Sequence, residues 1–142
     1  MKKYLLAIVC SLAISVVCFS QVEKSVKVPS AVNAAFSKMF PDSKNVTWEK
    51  EKGNYEANWG GKSKEDNSVM FKPDGTFIEK VKAIPISQLP SSVLAYVNKH
   101  KKGANITEAG LVTNADGKIT YEVEVNKKDL IFDEKGSFLK KD

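Results

Sequence analysis

The stretch VMFKPDGTFIEK, Val69 to Lys80, decides the fold, because it recurs as LIFDEKGSFLKK, Leu130 to Lys141. At a step of 61 residues, Phe71/Phe132, Gly75/Gly136, Phe77/Phe138 and Lys80/Lys141 are identical. Val69/Leu130, Met70/Ile131, Thr76/Ser137 and Ile78/Leu139 exchange like for like. Each copy sets two short apolar runs around a glycine, which is the pattern of a β-hairpin.

Working back from either hairpin, the same step finds a second repeat. In VPSAVNAAFSKMF, Val28 to Phe40, residues Val32, Ala35, Phe36, Met39 and Phe40 fall on one face of a helix. Pro29 suits its first turn, and Pro41 stops it beyond Phe40. Leu89 to Lys101, LPSSVLAYVNKHK, matches at Pro29/Pro90, Ser30/Ser91, Val32/Val93, Ala34/Ala95 and Lys38/Lys99. Two separate windows thus share one offset.

Between helix and hairpin lies further strand pattern. Val46 to Trp48 and Tyr55 to Trp59 alternate apolar with polar residues, and a turn is expected at Gly53-Asn54. In the second half Ile106 to Thr113 leads to a turn at Asn114 to Gly117. Ile119 to Val125 then places Ile119, Tyr121, Val123 and Val125 on one face, with Thr120, Glu122 and Glu124 on the other. Each half therefore reads as one helix followed by four antiparallel strands. The expected fold is α+β: two tandem units, residues 28–83 and 87–141, each a helix on one face of a four-stranded antiparallel sheet. The helix stripe Val32 to Phe40 should bury against Trp48, Tyr55, Phe71 and Phe77. Val93, Tyr96 and Val97 should bury against Leu111, Tyr121, Val123, Phe132 and Phe138.

Residues 1–20 read as a secretory signal peptide. Lys2 and Lys3 precede a fifteen-residue apolar run, Leu5 to Phe19, and Cys18 and Ser20 are the small residues before a cut at Gln21. Ser11 and Ser15 interrupt the run, which is shorter than the roughly 20 apolar residues a membrane span needs. The expectation is a periplasmic or secreted domain, residues 21–142, with no stable membrane anchoring. Both cysteines, Cys10 and Cys18, lie in the leader, so neither disulfides nor thiol chemistry is expected in the exported domain.

An exported protein, a signal peptide and two copies of the P-S-x-V helix with the F-x-x-x-G-x-F hairpin resemble the PepSY-like family of exported bacterial proteins. Members of that family are similar in fold to the β-lactamase inhibitor protein, itself a tandem of helix-plus-four-strand units. The resemblance spans residues 28–141. It implies the fold and, by analogy, a binding or inhibitory role; it assigns no functional residue.

All 22 basic residues are lysines. Removing Lys2 and Lys3 leaves 20 against 17 acids, a net charge of about +3. The signs alternate along the chain, which reads as a solvated surface. No nucleic-acid partner is expected, since base reading favours arginine's bidentate fork. His100, the one histidine, lies on the apolar helix stripe near a C-terminus and reads as packing rather than as a metal ligand. KPDGT and NADGK lack the alternating acids of a calcium loop. No nucleophile has a base partner other than His100, and no phosphate loop is present. Glu49/Glu51 and Glu122/Glu124 have a spacing compatible with a carboxylate pair, yet alternating solvent-facing glutamates are ordinary in strands. The expectation is therefore no enzyme, no cofactor and no metal.

What remains is surface. The two sheets, if they align edge to edge, leave a second face uncovered by either helix, and it is expected to bind another protein or peptide, with a role as inhibitor included. Expected partner-binding residues are Trp59, Met70, Ile78, Glu122, Glu124 and Ile131, together with the loop from Gly60 to Asn67. The alternative is a small-ligand carrier or sensor of the cell envelope, using a cleft between the halves.

Overall fold

A computed structural model describes residues 26–62 and 66–141; the expected leader lies outside the described residues. Helix α1 (Ser30–Met39) is followed by β1 (Thr47–Glu51), β2 (Asn54–Trp59), β3 (Asn67–Phe71) and β4 (Phe77–Ala83). A single 3-10 turn, Ile86–Gln88, leads to α2 (Ser91–His100), β5 (Ile106–Asn114), β6 (Ile119–Val125), β7 (Asp129–Asp133) and β8 (Phe138–Lys141).

Both helices are entered through an extended proline, Pro29 (ψ 148°) and Pro90 (ψ 141°). A proline here sacrifices nothing, because the first backbone N–H groups of a helix have no intrahelical partner. Both close in the same way, the N–H of Phe40 donating to Phe36 O and that of Lys101 to Val97 O, each at 2.8 Å. The repeat extends to irregularities. The β3–β4 register shifts between Met70 and Phe71, and the β7–β8 register shifts between Ile131 and Phe132, the matching step.

The two four-stranded sheets align edge to edge as one eight-stranded sheet in sequence order. Strands β4 and β5 join the halves through antiparallel pairs such as Val81 with Val112 and Lys82 with Leu111. This continuity fixes the sides. Opposed residues of an antiparallel pair share a face, so Ala57, Val69, Lys80, Thr113 and Ile119 lie on one side. The same face carries Leu111, Tyr121 and Phe132. Both helices pack on that side: Val32 and Phe36 of α1 against Tyr55, Ala57, Val69 and Phe71, and Val93 and Val97 of α2 against Ala109, Val123, Leu130 and Phe132.

The result is two cores under one sheet. Phe71 and Phe132, the repeated phenylalanines, are both fully buried. Burying one such side chain contributes about 1.5–3 kcal/mol. Phe36 meets Trp48 and Trp59 edge-on at 5.3 Å. Tyr96 stacks on Phe138 at 4.6 Å and meets Phe132 edge-on. The repeated glycines explain the hairpin–helix docking. Gly75 (φ +86°) and Gly136 (φ +78°) sit in the left-handed region, and each abuts the first turn of its helix.

Some expected positions differ. Met39 is 43 % exposed rather than buried, and Phe40 beside it is the residue that packs on Trp59. Phe138 is also exposed at one edge although its ring covers Tyr96. Leu111 belongs to neither core. The β1–β2 turn is made by Lys52 (φ 48°) and Gly53 (φ 88°), so Asn54 already stands in the strand.

Candidate functional site

The side of the sheet away from the helices is open across all eight strands. Strand alternation decides what it presents. In β1, TWEKE, Trp48 and Lys50 turn toward α1, which leaves Glu49 and Glu51 on the open side. Glu56 of β2 stands opposite Glu49. In β4, FIEKVKA, Lys80 and Lys82 take the helix side while Glu79 and Val81 face out. Strand β5 adds Glu108, β6 adds Glu122 and Glu124, and β7 adds Asp129 and Asp133. Every carboxylate within the eight strands is therefore on the open face, and no strand carboxylate is on the helix face. Lys140 is the lysine that register places among them, beside Ile131.

Charge alternation along the chain has thus become charge separation across the sheet. Some carboxylates stand directly opposite one another: Glu49 with Glu56, Glu108 with Glu124, and Glu124 with Asp129. Their effect is visible at Glu56. Burial pushes its carboxyl above the usual range, a hydrogen bond with Ser68 pulls it back, and the charges of Glu51, Glu49 and Glu79 push it up further. The hydroxyl of Thr107 donates to the carboxylate of Glu124.

A groove of about 620 Å³ runs along the middle of this face, beside the linker Ile84–Ile86. Its floor is small and apolar, with Val81, Ala83 and Gly110; Glu108, Glu122, Glu124 and Asp129 stand along it. Gly110 has no unusual φ, yet a Cβ there would lie 2.8 Å from Val81 Cγ1, so the site is bare for want of space.

Of the residues expected to contact a partner, Met70, Glu122, Glu124 and Ile131 share the open face. Ile78 is the extra residue of the β3–β4 bulge and is half-buried. Trp59 lies on the opposite side, packed 4.8 Å from Phe40 and 5.3 Å from Phe36. Its register partner is Asn67, whose side-chain amide donates to Trp59 O. Residues 63–65 of the Gly60–Asn67 loop lie outside the described residues. His100 is exposed and rests on the Tyr96 ring, 4.4 Å away. Among the described residues no group of histidine, cysteine and acidic side chains is arranged to hold a metal ion.

A second, smaller hollow of about 220 Å³ lies on the helix side between the halves. Phe40 and Trp59 wall it, and Lys80, Lys82, Leu111 and Thr113 supply its floor.

The family described as "Putative beta-lactamase-inhibitor-like, PepSY-like" matches residues 19–79 and 61–140, most of the chain. A solved structure described as "putative periplasmic proteins", from Bacteroides eggerthii, is similar at 20 % identity and a TM-score of 0.70, covering 82 % of this chain and 89 % of the other. A DUF2874 family protein from Bacteroides ovatus is similar at 20 % identity, TM-score 0.67, with 82 % and 88 % covered. A BLIP-like protein from Bacteroides fragilis is similar at 19 % identity, TM-score 0.62, with 82 % and 86 % covered. These likenesses are of fold. No curated protein matches the chain. No helix of the described residues is long and apolar enough to cross a membrane.

Proposed function

The chain belongs to the PepSY-like, beta-lactamase-inhibitor-like family, and from that premise we propose that it is an exported, non-catalytic module that binds another protein through its helix-free sheet face. One observation carries this reading: eight strands present a continuous face that neither helix covers. A soluble domain has no need to leave both helices on one side. A helix on each side would cover two faces instead of one. Export to the periplasm or beyond is supported by the leader pattern in residues 1–20 and by the fold shared with a structure described as periplasmic. A common origin of the two halves is supported by the matching bulges and docked glycines.

The test is capture from envelope extract with the exported chain as bait. A Met70→Lys variant places a cation between Glu56 and Glu79 at the centre of the first half's open face and should lose the captured partner. Trp59→Ala, on the other side, should keep it. Retention by Met70→Lys together with loss by Trp59→Ala would put the binding surface on the helix side. A second reading, a small-ligand carrier, draws on the hollow between the halves, where two lysines meet an aromatic wall. A ligand co-purifying in native mass spectrometry, and lost in Lys80→Gln/Lys82→Gln, would favour it.

A further inference from the structure

We propose that the surface which docks on the open face is cationic: a lysine- or arginine-rich segment of the partner protein laid along the β4–β6 groove. This rests on the reading that the open face binds a protein, and it adds the chemistry of what is bound.

The fold itself does not require one sign of charge on this face. Any charged side chain keeps an exposed strand position soluble, and surfaces ordinarily intersperse the two signs. This chain has lysines in excess of acids, yet sends strand lysines 50, 80 and 82 to the helix side and every strand carboxylate to the other, where Lys140, at the β8 edge, is the strand lysine beside them. Directly opposed like charges weaken a sheet, and Glu49/Glu56 and Glu108/Glu124 are such pairs. Swapping Glu and Lys between neighbouring positions would have mixed the signs at no cost in composition. The open face therefore carries a repulsion that a cationic surface relieves on docking.

The groove gives the shape. Lysine and arginine have long apolar stems with charged heads. The apolar strip of Val81, Ala83 and Gly110 accommodates such a stem, and Glu122 and Glu124 stand where the head would reach. A carboxylate accepting from a guanidinium or ammonium makes a stronger bond than a neutral pair does. The carboxylates are spread in rows along strands and do not converge on a point. Among the described residues they form no metal-holding group, so an extended cationic surface fits them better than a single ion. Charge complementarity of this kind acts chiefly on encounter rate and partner choice.

Fluorescence anisotropy of the exported chain with three labelled twelve-residue peptides tests this. The peptides alternate Gly-Ser with Lys/Arg, with Gln or with Glu. The Lys/Arg peptide should bind at least about tenfold more tightly than the Gln peptide. Its affinity should fall about tenfold or more between about 50 and about 200 mM salt, as screening shortens the reach of the face. Glu108→Gln/Glu122→Gln/Glu124→Gln, isosteric on an exposed face, should weaken it about tenfold, and Lys80→Gln/Lys82→Gln should leave it within about twofold. Equal binding of the Gln and Lys/Arg peptides, or salt-independent binding, would overturn the inference; the wild-type measurements suffice for this even if the triple variant fails to fold. A native partner captured in a Met70-dependent way but insensitive to the triple substitution would sink the cationic assignment alone. Loss of that Met70 dependence would sink the open-face reading beneath it.

Discussion

Replacing Gly75 by alanine tests why the chain repeats its hairpin at all. Gly75 sits at φ +86°, and a Cβ on it would stand 2.7 Å from the backbone oxygen of Ala31 in the first turn of α1. Two costs add. Holding alanine in the left-handed region costs about 1–2 kcal/mol. Pushing a methyl group into a backbone carbonyl, which has no rotamer to yield, adds an overpacking penalty of about 1–3 kcal/mol. Gly75→Ala should therefore destabilise by about 2–5 kcal/mol. Gly136→Ala should fall in the same range, because its Cβ meets Ser92 Oγ and comes within 3.0 Å of Pro90 Cβ. Gly117 is the control: its φ is +76°, and nothing lies within 4 Å of its Cβ position. Gly117→Ala carries the backbone cost and the same entropy change in the unfolded chain, so the difference between variants isolates the docking contact. Guanidinium titrations followed by circular dichroism give that difference. If Gly75→Ala and Gly117→Ala destabilise equally, the hairpin tip is not seated on the helix, and the packing described here is wrong.

Phe71→Ala and Phe132→Ala, each emptying a fully buried site, should both cost about 3–5 kcal/mol in the same titration. Since one sheet joins the halves, each should shift a single shared transition. Glu56→Gln should stabilise the protein at neutral pH. The Glu56 carboxyl is held above its usual range, so its ionised form opposes folding, and that opposition fades as pH falls through the raised value. The variant's advantage should accordingly shrink on acidification, in thermal melts taken from neutral to acidic pH. Asp133 titrates in the other direction: backbone N–H groups of Ser137 and Lys135 hold its carboxylate below the usual 3.8. Its contribution is present above that usual value and is lost as pH falls through the lowered one. Asp133→Asn should flatten the acid limb of the stability profile.

Much of this architecture is legible in the sequence, for local reasons. The helices begin within two residues of their expected prolines because an X-Pro step and a 3.6-residue apolar period are signals carried by neighbours in the chain. The turn at Gly53 is displaced by one residue because Lys52-Gly53 supplies the two positive φ values that a tight hairpin needs. Edge-to-edge alignment of the two sheets enters a sequence reading only as a condition. The pairing of β4 with β5 joins residues about 30 positions apart across a helix, and no local pattern specifies it. The same gap hides the charge separation. Alternation alone separates glutamates from lysines within EKE of β1 and EKVK of β4, but only the register shows that the carboxylates of both halves share one continuous side. Trp59 shows the limit of residue type: an aromatic ring fits a contact anchor or a core wall, and its parity with Ala57 places it beside Phe40 under α1.

The claim that everything else depends on is which side of the sheet meets the partner. A photoreactive residue in place of Met70, and in a separate protein in place of Lys82, would be irradiated in the cell envelope and the adducts resolved by mass. Covalent adducts from position 70 with none from position 82 are the predicted outcome. Adducts from position 82 alone would contradict it.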